Sequence, residues 1–137
     1  MEPEDIPLGV YTHIFFSFAL VHPKTFRIDA MDSETPKLYQ RVSNLKNRQP
    51  DMQVWIAIGG WAMNDPGRYR TTFSDLAKSS SAQNEFFESL LTFLKNNDFD
   101  GVDIDCEWCL HHIPSTSGQT AKCRLETNAH HRGVPWR

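Results

Sequence analysis

No part of this sequence approaches the ~20 consecutive apolar residues that a membrane-spanning helix requires, so a membrane is not an expected partner. Positive charge is not in excess either. The 14 Lys and Arg stand against 17 Asp and Glu, and nothing favours nucleic acid or an anionic surface. The opening "MEPEDIPLGV" has neither the basic nor the apolar region of a secretory signal, so the chain read literally is cytosolic. Cysteine is scarce: three residues, at positions 106, 109 and 123. An odd number cannot all pair within the chain, and without a leader disulfides are not expected. No obligate protein partner is evident.

What is present is unevenly spread. Residues 1–108 hold ten Lys/Arg and sixteen Asp/Glu, whereas residues 109–137 hold four Lys/Arg and only Glu126. All three cysteines and four of the six histidines fall from position 106 onward. The composition therefore divides the chain into 1–108 and 109–137. At 39% hydrophobic residues, there is enough apolar material for a globular core.

The first segment alternates between two kinds of pattern. "GVYTHIFFSFAL" (9–20) is a continuous apolar, aromatic and β-branched run, which reads as a buried strand. After a turn region, "VHPKTFRIDAMDSE", Thr35 precedes Pro36 as an N-cap precedes a first-turn proline. Leu38, Val42 and Leu45 then recur at helical spacing. A second strand, "QVWIAIGG", ends on two glycines, and "NDPG" signals a turn in the loop beyond it. Ser80 and Gln83 fit a capping box for a helix whose apolar face is Phe86, Phe87, Leu90, Leu91 and Leu94. Asn96 and Asn97 suit its C-terminus, and "FDGVDID" forms a third strand. Strands alternating with helices imply a parallel sheet with right-handed crossovers, an α/β architecture. Two helices can cover one sheet face at most, while a parallel sheet requires cover on both.

The third strand carries the chemistry. "NDFDGVDIDCEWCLHH" places five carboxylates within ten positions. Strand side chains alternate faces, so Asp103, Asp105 and Glu107 form a row on one face, ~6.6 Å apart. Val102, Ile104 and Cys106 point the other way. Asp100 has the opposite parity at the strand entrance and reads as a cap or turn residue, while Gly101 leaves room on the acid face. Neighbouring carboxylates in an enclosed site cannot all ionise cheaply, so one proton is expected to remain. On the outermost member, Glu107, that proton makes a general acid. The plainer alternative is a solvated edge strand whose acids face water. A calcium loop counted from Asp103 fails, since Trp108 and Pro114 occupy the positions where Gly and Glu are needed.

"DGVDIDCE" matches the DGxDxDxE signature of family 18 glycoside hydrolases, the chitinase family. Asp100, Gly101, Asp103, Asp105 and Glu107 all stand in place. "YTHIFFSFA" resembles the family's second barrel strand, and "VWIAIGGW" resembles the SxGG segment of its third, with Gly59 and Gly60 as the glycine pair. The first half looks most similar to the filamentous-fungal, killer-toxin-like subgroup. The resemblance covers about residues 7–108. Ala57 stands where the family usually has serine, and Cys106 where it usually has a bulky residue, often Trp. The resemblance implies part of a (β/α)8 TIM barrel, strands two to four, where a whole barrel takes ~250 residues.

The resemblance also implies a mechanism without cofactor. Glu107 would protonate the glycosidic oxygen of chitin or a chito-oligosaccharide, and the substrate's own 2-acetamido oxygen would act as nucleophile. Asp105 would orient that acetamido group, and Asp103 would share a proton with Asp105. Trp61, Gly60 and Trp108 would bind substrate, the two tryptophans by stacking on sugar rings, with ordinary packing as the alternative for each tryptophan. Full-length members act outside the cell.

Beyond Trp108 the family pattern stops, which points to intron read-through or a shifted frame. Cys106, Cys109, His111, His112, Cys123, His130 and His131 include one Cys-x2-Cys pair but no regular ligand spacing, so no metal site is expected. The tail's many Ser, Thr, Gly and Pro read as disordered. An inactive chitin-binding piece and a small zinc-stabilised Cys/His module are the competing readings.

Overall fold

The computed structural model of the chain describes residues 2–106. Its sheet is built from β1 (His13–Val21), β2 (Ile28–Ala30), β3 (Gln53–Gly59) and β4 (Gly101–Asp105), in the order β2-β1-β3-β4. β1, β3 and β4 run parallel, as alternating strands and helices predict. β2 is an addition. It lies antiparallel on the C-terminal half of β1, inside the stretch read as a turn region. Three residues, with apolar Ile28 and Ala30 flanking Asp29, give too short a period-2 signal to register as a strand.

The connections are α1 (Thr35–Ser43), α2 (Trp61–Asn64), α3 (Thr72–Lys78) and α4 (Ser80–Asn97), four α-helices among the described residues where two were expected. Each expected boundary moves by a residue or so, for a local reason. α1 begins at Thr35 itself, and the capping acceptor is Asp32. Its carboxylate takes the backbone N–H groups of Glu34 and Thr35 at 2.9 and 2.8 Å and the Thr35 hydroxyl at 2.8 Å. α4 is capped by Ser79, one residue before the expected Ser80, with its hydroxyl accepting from Ala82 N–H at 3.2 Å. Gln83 does not reach back to that cap. Its amide instead donates to the carbonyls of Leu76 and Ala77 at the end of α3. At the other end of α4 the left-handed residue is Asp98, not Asn96 or Asn97.

The core lies between the sheet and the helices. Val54, Ile56 and Ile58 of β3 are fully buried, and Tyr39 and Val42 of α1 and Phe86 and Leu90 of α4 are buried with them. Around Tyr39 the rings of Phe16, Phe93 and Phe99 pack edge-on, with centroids 5.1, 5.2 and 5.7 Å away. Leu91, expected on the buried stripe of α4, is 59% exposed. The opposite sheet face carries Phe15, Ser17, Trp55 and Asp103, and no described helix covers it; Phe15 is half exposed. Among the described residues no helix is long and apolar enough to cross a membrane.

Candidate active site at the carboxylate strand

The parallel register sets the site's dimensions. β4 is paired with β3 so that Asp103 lies beside Ala57 and Asp105 beside Gly59, while Ser17 of β1 lies beside Ala57 on the far side. Side chains of one register row share a face, so Ser17, Ala57 and Asp103 project together, with Asp105 one step nearer the C-terminal edge. The two carboxylates therefore stand in a row as their spacing in sequence requires. Asp103 is exposed and Asp105 half-buried. Residues 2–106 thus supply no enclosing wall for the row. A groove lined by Ile6, Ile14, Phe15, Leu38 and Val42 follows the outer edge of β1, away from both aspartates. Glu107 and Trp108 lie outside the described residues.

Asp100 belongs to the framework. One carboxylate oxygen accepts from the backbone N–H of Val54 at 2.7 Å and the other from Lys46 Nζ at 3.0 Å, while its own N–H donates to the Val54 carbonyl at 2.8 Å. This ties the entrance of β4 to that of β3, the cap role its strand parity predicts. Lys46 also donates to the carbonyl of Asp98 at 2.6 Å and pairs with its carboxylate at 3.1 Å. No motif marks Lys46, whose partners lie more than fifty residues away. Gly101 is needed for close approach, because a Cβ there would come within 2.6 Å of the Trp55 indole.

The glycine pair closes the other end. Gly59 has φ +127, and a Cβ on it would collide with the Asp105 carbonyl oxygen. Gly60 follows with φ +69, its N–H donating to that same oxygen at 3.2 Å. Gly60, expected among the substrate-binding residues, thus has its backbone N–H engaged in holding β4. Trp61 begins α2 directly afterwards and is 78% exposed, its ring presented at the end of the strands from which Asp105 projects. Asn64, the last residue of α2, is buried. Its Nδ2 donates to the Gly60 carbonyl at 2.8 Å and to the Asp105 carbonyl at 3.2 Å. In the sequence Asn64 registers only as the start of the "NDPG" turn.

Cys106 is disulfide-bonded, which corrects the expectation of no disulfides. That expectation was drawn from redox compartment and an odd cysteine count, neither of which reports local geometry. No cluster of His, Cys, Asp or Glu suited to a metal occurs among the described residues. The other Cys and His residues of the possible zinc group lie beyond them.

The sequence profile of glycosyl hydrolases family 18 matches residues 2–126, past the point where the pattern reads as stopping. Chitotriosidase-1 of Mus musculus is 29% identical over 106 residues, covering 77% of this chain and 21% of the relative. A solved structure of an immunomodulatory active chitinase from Trichuris suis superposes with a TM-score of 0.68 at 33% identity, over 78% of this chain and 28% of that one. Human YKL-39, described as a pseudo-chitinase with retained chitooligosaccharide binding properties, superposes with a TM-score of 0.65 at 28% identity, over 77% and 27%. The chain spans about a fifth of the length of Chitotriosidase-1, and its parallel strands are part of a (β/α)8 barrel. These three relatives come from animals.

Proposed function

Because the chain belongs to glycosyl hydrolases family 18, we propose that the protein carrying it hydrolyses chitin and chito-oligosaccharides, with retention at the anomeric carbon. The observation that carries this reading is the register of β4, which puts Asp103 and Asp105 on one face at the edge where the strands end. In a closed barrel that face is interior and its C-terminal edge is the usual seat of catalysis. Glu107 follows two residues further on in the sequence.

In this reading Glu107 donates its proton to the glycosidic oxygen as the bond from that oxygen to C1 breaks. The carbonyl oxygen of the substrate's 2-acetamido group bonds to C1 from the opposite side, giving an oxazolinium ion, and the aglycone sugar leaves with the proton. Asp105 orients the acetamido group and balances its developing positive charge, with Asp103 sharing a proton behind it. Water then adds to C1, returns a proton to Glu107 and reopens the ring. Two inversions leave the configuration retained. Trp61, exposed beside this edge, stacks on a sugar ring, as does Trp108. No metal takes part.

The same proposal includes action outside the cell, where an insoluble polymer must be met. It keeps residues 1–108 as the catalytic segment and 109–137 as a separate tail. Membership of the filamentous-fungal, killer-toxin-like subgroup rests on the resemblance of the first half alone. A second reading, a binder of chito-oligosaccharides without turnover, is favoured by the likeness to YKL-39. The retained Glu107 weighs against it.

The anomer first released from chitin oligomers by the full-length protein, followed by NMR, tests the reaction class. The β-anomer is expected. Release of the α-anomer, or hydrolysis of a substrate whose acetamido group is replaced by hydroxyl at an equal rate, would contradict substrate assistance.

A further inference from the structure

The C-terminal end of β4 is held by a side chain that no motif includes. The carbonyl oxygen of Asp105 accepts from two donors at once, Gly60 N–H and Asn64 Nδ2, both at 3.2 Å. The same Nδ2 donates to the Gly60 carbonyl at 2.8 Å. Two carbonyl oxygens face this one terminal atom, so it must be the amide nitrogen, whose two hydrogens match them. Asn64 is only 3% exposed, and its backbone N–H also bonds to Gly60 O at 3.2 Å. Its side chain therefore has little freedom to be anywhere else.

The Asp105 carbonyl belongs to the peptide plane that links Asp105 to Cys106. Fixing that plane fixes ψ of Asp105 and the direction in which the chain leaves the strand. Gly60 N–H alone leaves the plane free to tilt about a single hydrogen bond. A second donor from a different element removes that tilt. We infer that Asn64 is a positioning residue, one that holds the Asp105–Cys106 peptide so that the Asp105 carboxylate keeps its productive position. This rests on the chitinase reading of the site, since only there does the position of that acid bear on rate. Tight geometry matters for such a group: displacement by about 1 Å can cost about 10²-fold in rate.

The test uses the full-length protein and chitin oligomers, with Glu107→Gln as the control for the site. Asn64→Ala is expected to lower kcat by about 10–10² fold per folded molecule. Asn64→Asp supplies a second readout that also covers an unstable alanine variant. Its carboxylate has no hydrogen to give, whereas the protonated acid has one. The ratio of its kcat to that of wild type should therefore rise as pH falls through the new carboxyl's pKa. If Asn64→Ala keeps wild-type kcat per folded molecule, or Asn64→Asp shows a pH-independent ratio, the inference is overturned while the site reading stands. Wild-type protein no more active than Glu107→Gln would overturn both.

Discussion

Tyr39 places a hydroxyl in the aromatic cluster of Phe16, Phe93 and Phe99, where no described group hydrogen-bonds it. Burial, reinforced by the charges of Asp32 and Asp29, pushes its pKa up to about 12, so it stays neutral at any physiological pH. An orphaned hydroxyl costs desolvation without return, so Tyr39→Phe should leave the protein at least as stable, with a gain of up to about 1 kcal/mol in chemical denaturation. A loss of similar size would mean the hydroxyl has a partner. Asp32 makes the opposite case. The Thr35 hydroxyl, then the N–H groups of Thr35 and Glu34, hold its carboxyl below the ordinary 3.8. A depressed folded pKa contributes stability that is complete above the unfolded value and disappears as pH falls through the folded one. Asp32→Ala should therefore lower Tm at pH 7, and the gap between variant and wild type should close below about pH 3.8. A gap unchanged at pH 2 would rule out the charged cap.

At the scale of elements, what the sequence discloses and what it hides separate along physical lines. The runs containing β1 and β3 are apolar enough to read as buried strands, and the alternation in "GVDID" gives the faces of Asp103 and Asp105 directly. Capping residues are misplaced by one to three positions, because Ser79 and Ser80, or Asp32 and Thr35, offer equivalent chemistry until the backbone selects one. Asn64 and Lys46 are invisible from sequence. Their function lies in bonds to carbonyls 41 and 52 residues away, and no local pattern encodes such a distance. The joint between β3 and β4 is where these elements depend on each other most. A methyl group on Gly59 would meet the Asp105 carbonyl, at a φ that side chains rarely adopt. Gly59→Ala should destabilise the protein by more than about 3 kcal/mol, with loss of soluble yield as its first sign. Wild-type Tm in that variant would show that β4 can move aside without cost.

At the scale of the whole molecule, the described helices pack one sheet face and none of them covers the other. Phe15 is half exposed, Trp55 packs against it with ring centroids 5.7 Å apart, and residues 13–18 of β1 have no strand on their outer edge among the described residues. An open apolar face beside a free strand edge favours association. The 137-residue polypeptide expressed alone should therefore self-associate or melt broadly, which light scattering and calorimetry would show. A monodisperse monomer with a sharp reversible transition would contradict this. The central claim, that the carboxylate row performs substrate-assisted hydrolysis with Glu107 as proton donor, is tested most directly in the full-length protein. Glu107→Gln should be compared with wild type on unactivated chitin oligomers and on an aryl glycoside whose leaving group needs no proton. Loss of the general acid should cost about 10²–10⁴-fold on the oligomers, with sugar binding retained and partial recovery of the glycosylation step on the aryl glycoside. Near-wild-type turnover of unactivated oligomers by Glu107→Gln would contradict the assignment.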